Sequence, residues 1–283
     1  MIFNGKTVIV TGGSEGVGAA AARKFAEAGA NLMLVARGKK KLEAIAEELR
    51  EKTRVEYFAM DVADSDACVD LFKKAQFEFD RIDVLVNNAG YQVRGPVESV
   101  DSEDLAKMID VNLKAPIVLT RIAIPYIRES GGGAIINVGS LAGRTPVPEQ
   151  ATYAASKAGL RAFTYSIAEE MRDSGIKFAV LSPGPIDTGF ILSNIDSVSE
   201  LTLSQPMSTA DEVAQAILDL CGNNLREQSM PRVSGMLTTL IYLMPWLGRA
   251  IRPVMQRKGA RVKRELKSKA KAEAQARAAA AEK

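Results

Sequence analysis

The stretch TVIVTGGSEGVG, residues 7–18, decides the fold, because an apolar run passes through a glycine-rich turn into a helical pattern. Gly12 permits a tight turn, while Gly16 and Gly18 let backbone and helix come close to an anion and to a sheet. Backbone N–H groups at a helix start bind phosphate. Glycines in such a turn can also be purely structural, and their spacing is Gly-x-x-x-Gly-x-Gly rather than the commoner Gly-x-Gly-x-x-Gly. The stretch predicts a pyrophosphate-binding turn formed by Gly12, Ser14, Glu15, Gly16, Val17 and Gly18.

Beyond this turn, short apolar runs alternate with longer amphipathic segments up to about residue 222. The runs predicted as strands are residues 6–12, 30–36, 54–60, 81–87, 133–140 and 175–182. Several are apolar on both faces, which is typical of a buried parallel sheet. Helical patterns such as residues 40–52 and 103–130 lie between them. The order predicts an α/β fold with a Rossmann-type doubly wound parallel sheet in a single domain, residues 1–228. Residues 229–283 form a separate basic, amphipathic helical extension.

Composition restricts the chemistry and the compartment. The 283 residues include no histidine, which excludes Ser-His-Asp and Cys-His nucleophile pairs and histidine-based metal sites. No metal site is expected. Cys68 and Cys221 lie far apart, which is typical of free thiols in a reducing compartment. The chain enters a strand directly after its N-terminus and leaves no room for a secretory signal, so a cytoplasmic location is expected.

A tyrosine and a lysine in the segment ATYAASKAGL, residues 151–160, suggest acid–base chemistry. Tyr153 and Lys157 lie one turn apart on the same helix face. A free tyrosine has a pKa of about 10, and a nearby ammonium stabilises its phenolate. Lys157 is therefore expected to make Tyr153 usable as an acid and a base. Alone, such a pair is more often ordinary helix surface.

Together with other short motifs, this pair resembles the classical short-chain dehydrogenase/reductase family. The matching residues lie between residues 6 and 190, in the family's order: Thr11 to Gly18, Asp61-Val62, NNAG at 87–90, Asn112, Ser140, Tyr153-x-x-x-Lys157 and PGPIDT at 183–188. The resemblance implies a Rossmann-type domain that transfers a hydride between NAD(P) and a carbonyl or an alcohol.

The resemblance also implies a role for each matching residue. Asn112, Ser140, Tyr153 and Lys157 would be catalytic, with Tyr153 and Lys157 also contacting the cofactor, where Lys157 holds the nicotinamide ribose. The other cofactor-binding residues would be Asp61 and Val62 beside the adenine, Asn88 and Ala89 along the cofactor, and Pro183, Gly184, Ile186 and Thr188 near the nicotinamide.

The end of the second predicted strand bears on the choice between NADP and NAD. Here an acidic residue would bind the free 2′-hydroxyl of NAD, whereas arginine accommodates the 2′-phosphate of NADP. The strand ends with Val35, Ala36 and Arg37, without an acid, and Lys39 to Lys41 follow. NADP is therefore favoured. Glu15 in the glycine-rich turn favours NAD, so NAD stays open as the cofactor. Arg37 could also be an ordinary solvent-exposed residue at the start of a helix.

The end of the chain departs from the family pattern. Residues 229–283 carry 13 Lys or Arg against three Asp or Glu, a net charge of +10. Apolar residues recur at helical spacing from Leu237 to Met255, and the apolar run from Met236 to Gly248 is too short to span a bilayer. Residues 236–271 could lie on an anionic membrane surface, making the protein peripheral at the cytoplasmic face. They could equally pack on the substrate pocket or on a partner subunit.

Other expectations concern assembly and loops. The sequence shows neither the closing strand nor the glycine-rich end with which many family members build tetramers, so a homodimer is expected and a tetramer is left open. No nucleic-acid partner is expected. Residues 184 to about 210 have no clear period and read as a lid over the site.

The sequence therefore predicts an NADP-dependent oxidoreductase acting on the carbonyl or alcohol of a lipophilic substrate. Long-chain, sterol-like, retinoid-like and 3-ketosphinganine-type compounds are the candidate substrates. One alternative is a 3-oxoacyl thioester reductase. The other is a non-catalytic dinucleotide-binding sensor or scaffold, which would need the glycines but not the tyrosine.

Overall fold

The first strand and helix place the glycine-rich turn at one edge of a sheet. The computed structural model describes residues 3–187, 195 and 198–281, with side chains described up to residue 268. Strand β1, Thr7–Thr11, is buried along its whole length. Helix α1, Gly16–Glu27, follows after four residues and buries a face made largely of alanines. The small alanine side chains let α1 pack closely on the sheet, so the turn is held between two rigid elements.

Seven parallel strands form the main sheet: β1 Thr7–Thr11, β2 Asn31–Ala36, β3 Val55–Ala59, β4 Val84–Asn87, β5 Gly133–Val138, β6 Ile176–Pro183 and β9 Glu227–Met230. They lie in the order β3-β2-β1-β4-β5-β6-β9. Two short strands, β7 Ile186–Asp187 and β8 Ser208–Thr209, pair beside it. The six strands predicted from apolar runs are all present, and the doubly wound fold is confirmed.

Helices cover both faces of this sheet. Their bounds are α1 Gly16–Glu27, α2 Lys39–Arg50, α3 Ser65–Phe79, α4 Ser102–Ile109, α5 Ala115–Glu129, α6 Ala151–Glu170, α7 Glu200–Leu203, α8 Ala210–Gly222, α9 Arg232–Leu243 and α10 Pro245–Ala281. Helices α1, α2 and α8 pack on one face of the sheet. Helices α3 and α5, with part of α6, pack on the other. Alternate residues of each strand thus enter two separate apolar cores.

The expectation that the chain has no closing strand is wrong. Glu227–Met230 forms β9 and pairs in parallel with β6 at the edge of the sheet. Its four residues are Glu, Gln, Ser and Met, all half-exposed, so no apolar run marks the strand. The sequence boundary after residue 228 falls inside β9, and the sheet continues to Met230.

An ion cluster explains how such a polar segment is held in place. The Glu227 carboxylate accepts hydrogen bonds from Arg161 at 2.9 Å, Ser182 at 2.8 Å and Tyr165 at 2.9 Å. Arg144 forms an ion pair with it at 2.8 Å. The guanidinium groups, not apolar burial, fix β9 on the sheet.

The C-terminal extension is two helices rather than one. Helix α9 ends at Leu243, and α10 begins at Pro245, where a proline is well accommodated because no helical N–H bond is lost. The apolar stripe predicted on a single helix is therefore divided between two. Among the described residues, no helix is long and apolar enough to cross a membrane.

The second of these helices packs on the predicted lid. Val198 and Leu203 are buried against Val262 and Leu266 of α10. The Lys263 ammonium donates to the Val198 carbonyl at 2.9 Å. A small third core thus joins the lid to the terminal helix. Residues 188–194, 196 and 197, which fall within the predicted lid, lie outside the described residues.

Candidate active site

The candidate site lies at the carboxyl edge of the sheet, where the strand order reverses between β1 and β4. Ligands of doubly wound folds bind at such a point. Thr11, the last residue of β1, accepts hydrogen bonds from the amides of Asn88 and Ala89, both at 3.0 Å. The Asn88 side chain donates to the Thr11 carbonyl at 2.9 Å. These bonds hold the residues after β4 beside the glycine-rich turn, as expected for a cofactor crevice.

The glycine-rich turn has the geometry that a bound diphosphate requires. Gly12 and Gly16 have φ angles of +67° and +55°, which side chains disfavour. A Cβ atom at Gly18 would lie 2.0 Å from the Gly12 carbonyl oxygen, so only glycine allows this packing. Glu15 precedes α1 without capping it through its side chain, which leaves the first helix amides available to an anion. Ser14 and Val17 lie in the same turn. The turn therefore fits a dinucleotide.

The residues predicted at the adenosine end lie after β2 and β3. Arg37 is exposed and has no ion-pair partner in the part of the chain that the structure describes. Lys41 forms an ion pair of 2.7 Å with Glu15. The carboxylate that favoured NAD thus lies against a cation. Asp61 accepts a hydrogen bond from the amide two residues later, and Val62 is buried beside it.

The predicted acid and its serine partner come together. Tyr153 lies in the first turn of α6, and Ser140 follows β5. Burial raises the pKa of the Tyr153 hydroxyl, whereas a hydrogen bond with Ser140 and the positive charge of Arg94 act to lower it. The Ser140 oxygen also accepts from the Ala142 amide at 3.1 Å, which fixes its direction. A tyrosine and a serine hydroxyl thus face the same cavity.

Lys157 lies beside Tyr153, as the spacing of the two residues predicts. Its ammonium lies 5.9 Å from the centroid of the Tyr153 ring and donates to the Val138 carbonyl at 2.8 Å. Burial lowers the pKa of Lys157 to about 8. The positive charge of Arg94 opposes the rise in the Tyr153 pKa that burial causes. Lys157 anchors the start of α6 to the end of β5.

Asn112 lies in a π-helical turn, Asp110–Lys114, between α4 and α5. Such turns occur often at functional sites. The Asn112 side chain accepts from the Tyr91 amide and donates to the Tyr91 carbonyl, both at 2.8 Å. A Cβ atom at Gly90 would lie 3.6 Å from Asn112 Oδ1 and 3.9 Å from Lys157 Nζ. The structure therefore brings Asn112 and Lys157 together around Gly90, and Asn112 fixes the backbone that follows β4.

The predicted nicotinamide side is formed where β6 ends at Pro183. The Gly184 amide donates to the Met230 carbonyl at 2.7 Å, so β9 supports this segment. Gly184 and Ile186 both line the cavity that contains Tyr153. Thr188 lies outside the described residues.

A cavity of about 810 Å³ opens in front of Tyr153 and Ser140. Part of its wall comes from the C-terminal extension. The apolar side chains around it include Leu141, Val147, Leu201, Leu237, Ile241 and Met255. The sequence left three contacts open for the C-terminal extension: a membrane surface, the substrate pocket or a partner subunit. In the structure, one face of α9 and the start of α10 form part of the pocket wall.

The sequence did not point to Arg94, Gln92 or Gln150, which also line this cavity. Gln92 donates to the Gln150 side chain at 2.9 Å and accepts from Arg94 at 3.3 Å. These residues lie in irregular segments without a motif or a period. Only the fold brings them beside Tyr153.

Comparisons with known proteins agree with this geometry. A family model described as short chain dehydrogenase matches residues 6–196. Sulfoacetaldehyde reductase 2 of Chromohalobacter salexigens is 38% identical over 187 residues, which are 65% of this chain and 74% of that protein. A 3-oxoacyl-(acyl-carrier-protein) reductase of Thermotoga maritima is 32% identical over 228 residues, 79% of this chain and 93% of that protein.

One solved structure is similar to this chain over nearly the whole length of the solved chain. The crystal structure of a metagenomic short-chain oxidoreductase in complex with NADP superposes with a TM-score of 0.69 at 32% sequence identity, covering 81% of this chain and 98% of that chain. The family predicted from the motifs and its enzyme class are confirmed, and this chain belongs to the short-chain dehydrogenase/reductase family of NAD(P)-dependent oxidoreductases.

Proposed function

We propose that the protein is an NADP-dependent reductase of lipophilic aldehydes or ketones, or catalyses the reverse alcohol oxidation. The observation that carries this proposal is the cavity of about 810 Å³, in which the Tyr153 and Ser140 hydroxyls face a largely apolar wall. Such a wall favours a substrate with a long or bulky hydrocarbon part. Long-chain, sterol-like, retinoid-like and 3-ketosphinganine-type carbonyl compounds all meet this description.

The chain's own residues supply the proton half of the reaction. A bound nicotinamide supplies the hydride that becomes attached to the carbonyl carbon. Tyr153 donates its hydroxyl proton to the carbonyl oxygen, and Ser140 donates a hydrogen bond to the same oxygen. The products are an alcohol and a Tyr153 phenolate, which takes a proton from solvent. Lys157 and Asn112 hold α6 and the backbone after β4 in position.

Three observations support NADP over NAD. Arg37 follows β2 with an exposed guanidinium, and the acid that would bind a free 2′-hydroxyl is missing there. Glu15, the residue that favoured NAD, is paired with Lys41 at 2.7 Å. The similar metagenomic oxidoreductase is itself in complex with NADP.

A 3-oxoacyl thioester is the second candidate substrate. The Thermotoga maritima relative that matches over 93% of its length is a 3-oxoacyl-(acyl-carrier-protein) reductase. A thioester with an acyl chain would also use an apolar wall. A non-catalytic sensor is disfavoured, because binding a dinucleotide requires the turn at Gly12 but not Tyr153 and Ser140 in one cavity.

We further propose that the protein lies on an anionic membrane surface through α9 and the start of α10. The outer face of these helices is apolar and exposed at Val233, Met236, Leu240, Leu243 and Trp246. Arg232, next to the exposed Val233, would attract anionic lipid. A second copy of this chain, in a homodimer, is the rival occupant.

A panel of carbonyl compounds tests the catalytic proposal. The protein is supplied with NADPH and, in turn, aldehydes and ketones of increasing chain length, sterol ketones and 3-oxoacyl thioesters. Turnover of the lipophilic carbonyls that grows with chain length supports the proposal. Turnover of thioesters alone favours the second candidate. NADPH binding without turnover of any class would indicate a sensor.

A further inference from the structure

Arg94 is a half-buried cation that lines the cavity and has no counter-ion among the described residues. Its Nη1 atom is buried and has no hydrogen-bond partner, and no ion pair engages the side chain among the described residues. Nη2 donates only to the neutral Gln92 side chain, at 3.3 Å. Burial lowers the pKa of Arg94, which reflects the cost of taking the charge out of water. A charge removed from water is costly unless it is paired, so an anion bound beside Nη1 would be stabilised.

The other charged residues of the cavity wall are also basic. Arg249 and Arg252 of α10 line the cavity together with Arg94. No aspartate or glutamate belongs to the described lining. Clefts lined by one sign of charge concentrate ligands of the opposite sign. The field in this cavity therefore favours anions, although its wall is otherwise largely apolar.

Arg94 also lies close to the reacting position. Arg94 and Tyr153 line the same cavity, and the positive charge of Arg94 opposes the burial that raises the pKa of the Tyr153 hydroxyl. An anion bound by Arg94 would therefore lie near the carbonyl that Tyr153 protonates. Gln92 accepts a hydrogen bond from the guanidinium at 3.3 Å and is itself fixed by donating to Gln150 at 2.9 Å.

We propose that Arg94 determines substrate specificity by binding a carboxylate, sulfonate or similar oxyanion of the carbonyl substrate. The substrate would then be amphipathic, with the oxyanion at Arg94, the carbonyl at Tyr153 and Ser140, and the apolar part toward Leu237 and Ile241. This inference rests on the proposed reductase function and names its substrate class.

The test compares substrates that differ only in charge. Aldehydes ending in a carboxylate, namely 4-oxobutanoate, 5-oxopentanoate and 6-oxohexanoate, are reduced with NADPH beside their neutral amides. The variants are Arg94→Gln, Arg94→Lys and, as a control, Arg121→Gln, an exposed arginine of α5 outside the cavity. Melting temperature and NADPH affinity establish that each variant folds.

We expect the anionic aldehydes to be preferred. In Arg94→Gln their KM should rise about 10- to 100-fold, the loss expected for a charge-assisted hydrogen bond. The amides should change little, Arg94→Lys should recover part of the affinity, and Arg121→Gln should behave as the parent. Equal losses for acids and amides would show that Arg94 acts only through Tyr153 and would overturn the inference.

A binding measurement separates this inference from the proposed function. Butanoate, hexanoate and octanoate, which cannot be reduced, are titrated calorimetrically into the parent and into Arg94→Gln, each saturated with NADP, beside the corresponding amides. Binding of the acids that Arg94→Gln abolishes supports the anion site even if no aldehyde is turned over. Acids and amides that bind equally to both proteins contradict it, even if the reductase proposal holds.

Discussion

The Lys157 ammonium donates a hydrogen bond to the Val138 carbonyl across 2.8 Å, and this bond ties the first turns of α6 to the end of β5. Ser140 follows β5 and Tyr153 begins α6, so the two hydroxyls depend on this bond for their relative position. Lys157 thereby positions α6 against β5, while its ammonium lies 5.9 Å from the centroid of the Tyr153 ring.

Tyr153→Phe should lower kcat by at least ~100-fold, the range expected for losing a general acid. The ring remains, so NADPH affinity should change little. Turnover and cofactor titration of the same preparation measure both effects. Tyr242→Phe, an exposed tyrosine of α9, is the control and should behave as the parent. Turnover near the parent level in Tyr153→Phe would show that another group protonates the substrate.

Cofactor choice is tested at Arg37. NADPH should bind more tightly than NADH, and Arg37→Ala should weaken NADPH binding about 10- to 100-fold while leaving NADH binding nearly unchanged, since only NADPH carries the 2′-phosphate. Lys24→Ala, in the last turn of α1, should affect neither. If the parent binds NADPH and NADH with equal affinity, the NADP assignment is wrong. Glu15 would then favour NAD despite its ion pair with Lys41.

The sequence predicts those parts of the site in which a motif specifies both the residue type and its position. The turn at Gly12, the Asn88 segment and the Tyr153–Lys157 pair come from elements whose period is clear. Strand β9 could not be found, because ion pairs to Glu227 rather than apolar burial hold it. Arg94 could not be found either, since its importance comes from the cavity around it and not from its neighbours in the chain.

The stability of the fold should depend on Asp83 and therefore on pH. Its buried carboxylate accepts hydrogen bonds from Lys6 at 2.9 Å, from Arg81 at 2.6 Å and from the Thr7 amide at 2.9 Å. Burial raises the pKa of Asp83, but these three partners together hold it below the ordinary value. A carboxyl with a lowered pKa stabilises the fold above its unfolded pKa of about 4 and loses this contribution as the pH falls toward the folded value.

Asp83→Asn should therefore lower the free energy of unfolding by about 2–3 kcal/mol at neutral pH. The difference from the parent should shrink as the pH falls below about 4, since the parent carboxyl is then protonated as well. Urea unfolding across this range measures it. Asp70→Asn, at an exposed pair with Lys73, should change stability by less than about 0.5 kcal/mol. A difference that is constant with pH would contradict the charge-based explanation.

Gly259 tests whether α10 is docked on the lid. A Cβ atom there would lie 1.7 Å from the Glu200 carbonyl oxygen, a backbone atom that cannot move aside on its own. In an undocked helix, glycine to alanine would stabilise by about 1 kcal/mol. We expect the opposite for Gly259→Ala, namely a lower melting temperature and faster hydrogen exchange at residues 198–203. Arg257→Ala, at an exposed position two residues earlier, controls for helix propensity. Stabilisation by Gly259→Ala would mean that the contact is absent in solution.

The outer face of α9 and α10 should bind anionic membranes. Its exposed apolar side chains would be buried at the lipid interface, and each basic residue near the surface adds about 1 kcal/mol. The intact protein should sediment with anionic vesicles and be partly released by salt, which screens only the charges. Leu243→Asp with Trp246→Asp should abolish sedimentation, whereas Phe77→Asp, at an equally exposed apolar residue of α3, should not. Loss of a dimer, rather than of vesicle binding, in the double variant would identify a second copy of the chain as the occupant of this face. If the intact protein does not bind anionic vesicles at low salt, the membrane proposal is refuted. The role of these helices would then be to form part of the cavity wall.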